Sequence, residues 1–301
     1  MITVEHIQAS INHTGQRIDT LVCSYPRAIH AQLLTHRVFS KNSSSTRAIP
    51  LQKAIDQLDA DPAEYIWTQN QAGMQGELIT DDKMLHAVND RFRKAKEDAV
   101  FHAHKLLELG VHKQNAGRLL EPFQNIRIVL TSTEWDNWDW LRDDPAAQGE
   151  IAELARKIKA ARDAAEPMEL NAGEWHVPFV DRVAPNQMRY YSPIDHSVLT
   201  VEEAKLVSMS VCAQTSYRNA DYSLTKAKEM YEKLTGSKKM HASPFEHQAM
   251  GTGLINVPDL QPDLWPVGIT HMDREGHYWS GNFKGFIQHR QLLKGHDHAK
   301  G

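Results

Sequence analysis

The most polar stretch of the chain, residues 32–47, combines two guanidinium groups with a run of hydroxyl groups. It reads QLLTHRVFSKNSSSTR, so Arg37 and Arg47 lie on either side of the serines at 43–45. An arginine offers a planar fork of N–H donors that matches phosphate oxygens, and hydroxyl and loop N–H groups supply further donors. The composition predicts a loop that binds a phosphate monoester. A solvated serine-rich turn between a strand and a helix is the alternative.

A further arginine, Arg142, lies among the three tryptophans Trp135, Trp138 and Trp140. A guanidinium partly removed from water beside aromatic rings exerts a strong electrostatic effect on a bound planar ring. This spacing is compatible with a role in binding a heterocyclic base. An arginine that merely stacks on surface tryptophans is the alternative.

The segment 241–247, HASPFEH, is the third polar motif. It lacks the H-E-x-x-H spacing that places two imidazoles on one helical face, so it does not predict a metal site. It favours the start of a helix, with Ser243 as the N-cap and Pro244 at the first helical position.

Composition excludes several classes of protein. The chain has 301 residues and a formal net charge of −4, without the basic excess of a nonspecific nucleic-acid binder. Its two cysteines, Cys23 and Cys212, cannot form a disulfide framework or a multi-cysteine zinc site. No apolar run is long enough to cross a membrane, and the first residues lack a signal-peptide pattern. We therefore expect a soluble, cytoplasmic protein without a nucleic-acid, membrane or metal partner.

The elements that must position these motifs are mixed. Helical periodicity predicts four helices, at 80–109, 146–165, 200–213 and 223–235, the third opening with a capping box from Thr200 to Glu203. Strand signals occur at 18–24, 127–133 and 283–287. The order is not the regular strand–helix alternation of a parallel sheet, so it predicts an α+β fold with an antiparallel-containing sheet and packed long helices.

Together the motifs resemble those of the flavin-dependent thymidylate synthase family. The family pattern Arg-His-Arg-x-x-Ser-x-Asn-x-x-Ser-x-Arg is reproduced, except at the first Arg, by Thr35, His36, Arg37, Ser40, Asn42, Ser45 and Arg47. Gln32 and the dipeptide Pro26-Arg27 also match. Residues 110–122 resemble the family's Gly-x-x-x-x-x-Ala-Arg-x-x-x-Pro element with one extra residue, and 137–142 and 147–151 resemble its Asn-x-x-x-x-Arg and Ala-Gln-x-Glu-Ile elements.

The order of the elements differs from that of most family members. Segments 212–217 and 241–247 are similar to the usual N-terminal part of the family, but here they follow the His-Arg motif. The resemblance therefore describes residues 1–301 as a single domain in circularly permuted order. Its nucleotide and flavin part is 17–165, a connector spans 166–197, and 198–301 resembles the usual N-terminal segment.

The resemblance implies a thymidylate synthase-complementing protein-like fold and a homotetramer that binds FAD, NADPH, methylenetetrahydrofolate and deoxyuridine monophosphate (dUMP). The implied product is dTMP, formed by transfer of a methylene to C5 of dUMP and reduction to methyl by a flavin hydride. The implied cofactor positions are His36, Arg37, Ser243, Asn137, Thr35, Ser43 and Thr131. The implied nucleotide positions are Gln32, Ser43, Ser44, Ser45, Arg47, Arg118 and Arg142. Arg142 is the implied catalytic residue, which favours the ionised uracil.

Several positions depart from the family pattern. Thr35 replaces an Arg, Ser43 a Glu, Thr131 an Asn, Ala146 a His and Ala48 a Tyr. The changes at Ser43 and Ala146 motivate an alternative, a flavin-dependent pyrimidine nucleotide hydroxymethylase. A non-catalytic nucleotide-binding protein is a second alternative. A metal-dependent hydrolase is disfavoured because the 17 histidines are scattered.

Overall fold

The computed structural model describes residues 1–45, 47, 49–73, 76–183, 188–216, 219–236, 239–252 and 261–296. Its helices are α1 (His30–Leu34), α2 (Leu51–Ala60), α3 (Asp82–Glu108), α4 (Lys113–Ala116), α5 (Asp136–Arg142), α6 (Gly149–Asp163), α7 (Val201–Ala213) and α8 (Leu224–Thr235). The strands of the main sheet are β1 (Thr3–Asn12), β2 (Arg17–Pro26), β3 (Ser40–Ser43), β4 (Asn125–Ser132) and β5 (Met168–Leu170). Nine short strands follow: β6 (Trp175–His176), β7 (Asp181–Val183), β8 (Arg189–Tyr191), β9 (Val198–Leu199), β10 (Ala249–Gly251), β11 (His271–Met272), β12 (Tyr278–Ser280), β13 (Phe283–Lys284) and β14 (Phe286–Gln288).

The main sheet has the strand order β3-β4-β2-β1-β5. All neighbours are antiparallel except β5, which runs parallel to β1. The turn between β1 and β2 forms because the Asn12 side chain accepts hydrogen bonds from the backbone N–H groups of Thr14 and Gln16. Gly15 in this turn has a φ of +83°, which favours glycine. The predicted strands at 18–24 and 127–133 are thus confirmed, with β1 and β3 as additional strands.

The two faces of this sheet pack against different parts of the chain. Side chains alternate between faces along a strand. Leu21, Cys23 and Tyr25 belong to a core that includes α5 and α6. Val22 on the opposite face packs with Cys212 of α7. The core around α5 and the contact with α7 therefore lie on opposite faces of the sheet.

The predicted helix at 80–109 is confirmed as α3, but its apolar face is largely open. Its N-cap is Asp81, whose side chain accepts from the backbone N–H of Met84. Only Ala103 of α3 is buried, whereas Met84 and Phe101 are 45% and 56% exposed. The periodicity correctly identified the helix but overestimated how much of it a single chain buries.

Three other helices agree with their sequence patterns. α6 buries Ile151, Leu154 and Ile158 against the main sheet, as its spacing predicts. The capping box at the start of α7 is present, since Thr200 and Glu203 exchange side-chain to backbone hydrogen bonds. α8 begins after its N-cap Ser223.

The segment predicted as a connector, 166–197, contains short strands that join the two parts of the chain. Besides β5 on the main sheet, β6 pairs with β10 in a second sheet of order β14-β10-β6. The predicted strand at 283–287 is present as β13 and β14, which Gly285 separates with a φ of +70°. The C-terminal part is therefore packed closely with the part that precedes the connector.

Candidate nucleotide-binding site

Arg142 lies at the end of α5, where it contacts the segment that follows α1. Its Nε donates to Nε2 of His36 at 3.0 Å. One Nη donates to the backbone carbonyl of Gln32 at 3.4 Å and to the Thr35 hydroxyl at 3.3 Å. The structure thus brings together four of the predicted site residues, which we call the Arg142 corner: Gln32, Thr35, His36 and Arg142.

His36 accepts the hydrogen bond of Arg142 as a neutral imidazole. Its ring is buried, stacked on Phe39 at 5.8 Å and edge-on to Trp138 at 4.8 Å. Burial, together with the nearby Arg142 charge, lowers the pKa of His36 to about 4. Because a guanidinium only donates, Nε2 of His36 must be the unprotonated ring nitrogen. The corner therefore presents a fixed cation that no carboxylate of the described residues neutralises.

A chain of polar contacts supports the corner from α6 and the loop before it. The side-chain amide of Gln32 donates to Gln148 at 2.6 Å, and Gln148 donates to Glu150 at 3.0 Å. Glu150 is buried and accepts from the backbone N–H of Ile66 at 2.8 Å. These contacts hold Gln32, and through it the loop that contacts Arg142.

The serine loop lies elsewhere, at the end of β3. The Ser44 N–H donates to the backbone carbonyl of Arg127 at 2.8 Å, and the Arg127 N–H donates to the Ser44 hydroxyl oxygen at 3.2 Å. The Ser45 N–H donates to the Ser216 hydroxyl oxygen at 2.8 Å. Ser44 and Ser45 line a cavity of about 230 Å³, which we call the serine cavity. Arg47 is exposed, and its neighbours at 46 and 48 lie outside the described residues.

The Arg142 corner and the serine cavity are on opposite faces of the main sheet. Ile126 and Ile128 of β4 join the same core as Trp138 of α5. Arg127, between them, points to the other face, where it lines the serine cavity. A single chain therefore does not join Arg142 to the serine loop in one site.

The model of the thymidylate synthase complementing protein family matches residues 17–168, which is 152 of the 301 residues. The chain belongs to the thymidylate synthase complementing protein family. The family resemblance seen in the sequence is confirmed by this match, as is the predicted α+β fold. The match ends at residue 168, so the permuted likeness of 198–301 stays a prediction.

Among solved structures, the chain is similar to a UMP/dUMP methylase, PolB from Streptomyces cacaoi, bound with 5-Br UMP. The identity is 16% and the TM-score is 0.42, over 54% of this chain and 89% of that chain. No curated protein matches the chain. Within the described residues, no helix combines the length and apolarity that a membrane span requires. Family membership supports a methyltransferase-type enzyme that acts on a nucleotide.

The other predicted site residues of this family member are not gathered around Arg142 in one chain. Six of them have exposed side chains: Arg37, Ser43, Arg47, Arg118, Asn137 and Ser243. Ser243 is not the N-cap that the sequence predicted. The turn Ser243–Glu246 is a 3-10 helix with Ala242 at its N-cap position, and no side chain caps it. The segment is too short to form the α-helical first turn that a serine cap stabilises.

A buried network of histidines and hydroxyls was not foreseen from the sequence. The Thr131 hydroxyl lies 2.9 Å from Nδ1 of His247 and 2.7 Å from the Thr20 hydroxyl. Thr20 in turn lies 2.9 Å from Nε2 of His176, whose Nδ1 contacts Ser10 at 2.7 Å. All of these groups are buried, and Nε2 of His247 has no hydrogen-bond partner in the part of the chain that the structure describes. His247 of the motif at 241–247 therefore packs on β4 and contacts Thr131, which is one of the predicted cofactor positions.

One group of metal-ligand residue types lies close together among the described residues. Single ligand atoms of Asp273, Glu275 and His277 are all within 4.8 Å of one another. The Asp273 carboxylate already accepts from the N–H groups of Glu275 and His277 and from the Trp279 indole. These bonds stabilise the turn between β11 and β12, so the cluster has a structural explanation.

Proposed function

We propose that the protein is an FAD-dependent thymidylate synthase that transfers a methylene from methylenetetrahydrofolate to C5 of dUMP and reduces it to methyl, giving dTMP. The observation that carries this proposal is the guanidinium of Arg142, which three neutral acceptors orient without neutralising it. A cation held in this way stabilises negative charge that develops on a bound ring, because it needs no reorganisation during the reaction.

Methylation at C5 requires electron density in the uracil ring, from a nucleophile added at C6 or from ionisation at N3. A cysteine nucleophile is not supported, since Cys23 and Cys212 are both buried and burial raises the pKa of both thiols well above the ordinary value. In the proposed mechanism Arg142 contacts the N3–O2 edge of the uracil and favours its ionised form. Gln32 and His36 keep Arg142 in place for this role.

The polar groups at the implied cofactor positions are of the types that hold a flavin dinucleotide. Arg37 carries a guanidinium that makes no ion pair with the described residues, and Asn137 exposes an amide, whereas the Thr35 hydroxyl already donates to the Gln32 carbonyl at 2.6 Å. We propose that Arg37, Thr35, Asn137 and His36 hold FAD. Ser43, Thr131 and Ser243 occupy the other implied cofactor positions. When bound, FAD supplies the hydride that NADPH provides.

The separation of the corner from the serine cavity supports a site built from more than one chain. A nucleotide that contacts both Arg142 and Ser45 needs these residues from different copies, because the main sheet lies between them within one chain. We therefore propose a homotetramer with shared sites, in which Arg118 and Arg47 add cationic contacts to the nucleotide.

The visible spectrum of the purified protein tests the redox class. We expect a flavin band, present on purification or after addition of FAD, that bleaches when NADPH is added with dUMP. The mass of the nucleotide product then separates a methyl from a hydroxymethyl group. A protein that binds dUMP but retains no flavin and turns over no substrate would contradict the proposal and favour a non-catalytic nucleotide-binding protein.

A further inference from the structure

Two arginines outside the predicted site residues line the serine cavity. Arg27 follows the end of β2, and Arg127 lies on β4 opposite Ser24 of β2. Neither guanidinium makes a hydrogen bond or an ion pair with the described part of the chain. For Arg27 the structure shows a buried Nε without any hydrogen-bond partner.

The position of Arg27 is fixed although its guanidinium is free. Its backbone N–H donates to the carbonyl of Gln124 at 2.9 Å, and its side chain is half-buried. Burial lowers the pKa of Arg27, with Glu121 acting in the opposite direction. A half-buried guanidinium that lacks partners is destabilising unless a ligand or water satisfies its donors.

The hydroxyl groups around the cavity are available as donors. The oxygens of Ser44 and Ser216 accept backbone N–H bonds, which leaves their O–H groups free to donate to a ligand. One acidic residue, Asp61, also lines the cavity, and its carboxylate lies 4.0 Å from the amino group of Met1. Two guanidiniums and several hydroxyl donors thus face a space of about 230 Å³.

We propose that Arg27 and Arg127 bind the phosphate monoester of the nucleotide substrate in the serine cavity. The identity of the nucleotide in this inference rests on the proposed function, whereas the assignment of a phosphate site to the cavity does not. A phosphate monoester has three terminal oxygens, enough to accept from both guanidinium forks and from the hydroxyls of Ser44 and Ser216. The serine loop then supplies one wall of a phosphate site whose positive charge comes from Arg27, just after β2, and from Arg127 on β4.

Isothermal titration calorimetry of the full chain with dUMP, deoxyuridine and inorganic phosphate tests the proposal. We expect Arg27→Gln and Arg127→Gln each to raise the Kd of dUMP about 10- to 100-fold, the scale of one charge-assisted contact. Deoxyuridine, which has no phosphate, should bind both variants and the unmodified protein equally. Arg27→Lys, which keeps the charge but not the fork, should recover part of the dUMP affinity.

The control is Arg189→Gln, which removes an exposed arginine from β8 and should leave every Kd unchanged. Unchanged dUMP affinity in both cavity variants would overturn the inference while leaving the proposed function intact. If the unmodified protein does not bind dUMP but binds inorganic phosphate, and this binding depends on Arg27 and Arg127, the phosphate site is supported. The proposed substrate is then wrong. An equal loss of deoxyuridine affinity would show a structural role and would also overturn it.

Discussion

The Arg142 corner and the serine cavity both contain arginines, but the hydrogen bonding of their guanidinium groups differs. Arg142 is oriented by His36, Gln32 and Thr35 before any ligand binds. The guanidiniums of Arg27 and Arg127 make no hydrogen bond or ion pair with the described residues, so a bound ligand would have to order them. Preorganised charge lowers the barrier of a reaction, whereas charge that is ordered on binding contributes to affinity. The comparison predicts that changes in the corner affect kcat and that changes around the cavity affect KM.

The largest expected effect is at Arg142. Arg142→Ala should abolish turnover and leave the fold intact, because the residue acts mainly on the transition state. The measurement is dTMP formation together with the thermal unfolding midpoint. Arg156→Ala on α6 is a matched control, since its exposed ion pair with Asp143, at 3.7 Å, contributes little. Turnover at the unmodified rate in Arg142→Ala would remove the catalytic assignment.

The next effect belongs to the serine loop. Arg47→Ala should weaken nucleotide binding by about 1.5–3 kcal/mol, the scale of a charge-assisted hydrogen bond. The change should be in KM and in the Kd of dUMP, with kcat nearly constant. If kcat falls and the affinity stays the same, the loop does not hold the phosphate and the division between the two regions is wrong.

A smaller effect concerns the pH dependence of stability. The folded-state pKa of His36 is about 4, below its ordinary value of 6.5. Between these pH values the unfolded chain binds a proton that the folded chain does not, so stability decreases as pH falls from 6.5 to 4. His36→Asn should reduce this loss of unfolding free energy by about 1 kcal/mol, as measured by urea unfolding at pH 7 and pH 5. His247 and His289, whose pKa values are lowered to about 3, contribute in the same direction and remain in the variant. An identical pH slope in His36→Asn would contradict a neutral, buried His36.

The smallest expected effect is at Gln148, which supports the corner through Gln32. Gln148→Ala removes two side-chain hydrogen bonds, the one from Gln32 at 2.6 Å and the one to Glu150 at 3.0 Å, and should lower kcat only about two- to fivefold. Gln148→Glu keeps an acceptor for the Gln32 amide but places a second carboxylate against the buried Glu150, so it should lower kcat at least as much as Gln148→Ala. A loss as large as that of Arg142→Ala would mean that Gln148 contacts the substrate directly.

The family resemblance of the sequence motifs implied part of the candidate site. Thr35, His36 and Arg142 were expected at one site, and the structure places them in contact although 106 residues separate His36 from Arg142. Arg27 and Arg127 were not assigned a role, because each is an isolated arginine whose neighbours in the sequence are apolar. A dipeptide match to the family at Pro26-Arg27 was the only signal, and it did not point to Arg127.

The sequence alone determined the local structure, and its family resemblance implied the residues of the Arg142 corner. Helical periodicity and end signals fixed α3, α6, α7 and α8, because their hydrogen bonds and caps join residues only a few positions apart. Only the tertiary structure decided which polar groups share a cavity. The antiparallel register of β2 with β4 places Ser24 opposite Arg127 and so brings Arg127 near Arg27. Such pairing depends on the burial of both faces of a sheet by distant segments, which no local pattern specifies.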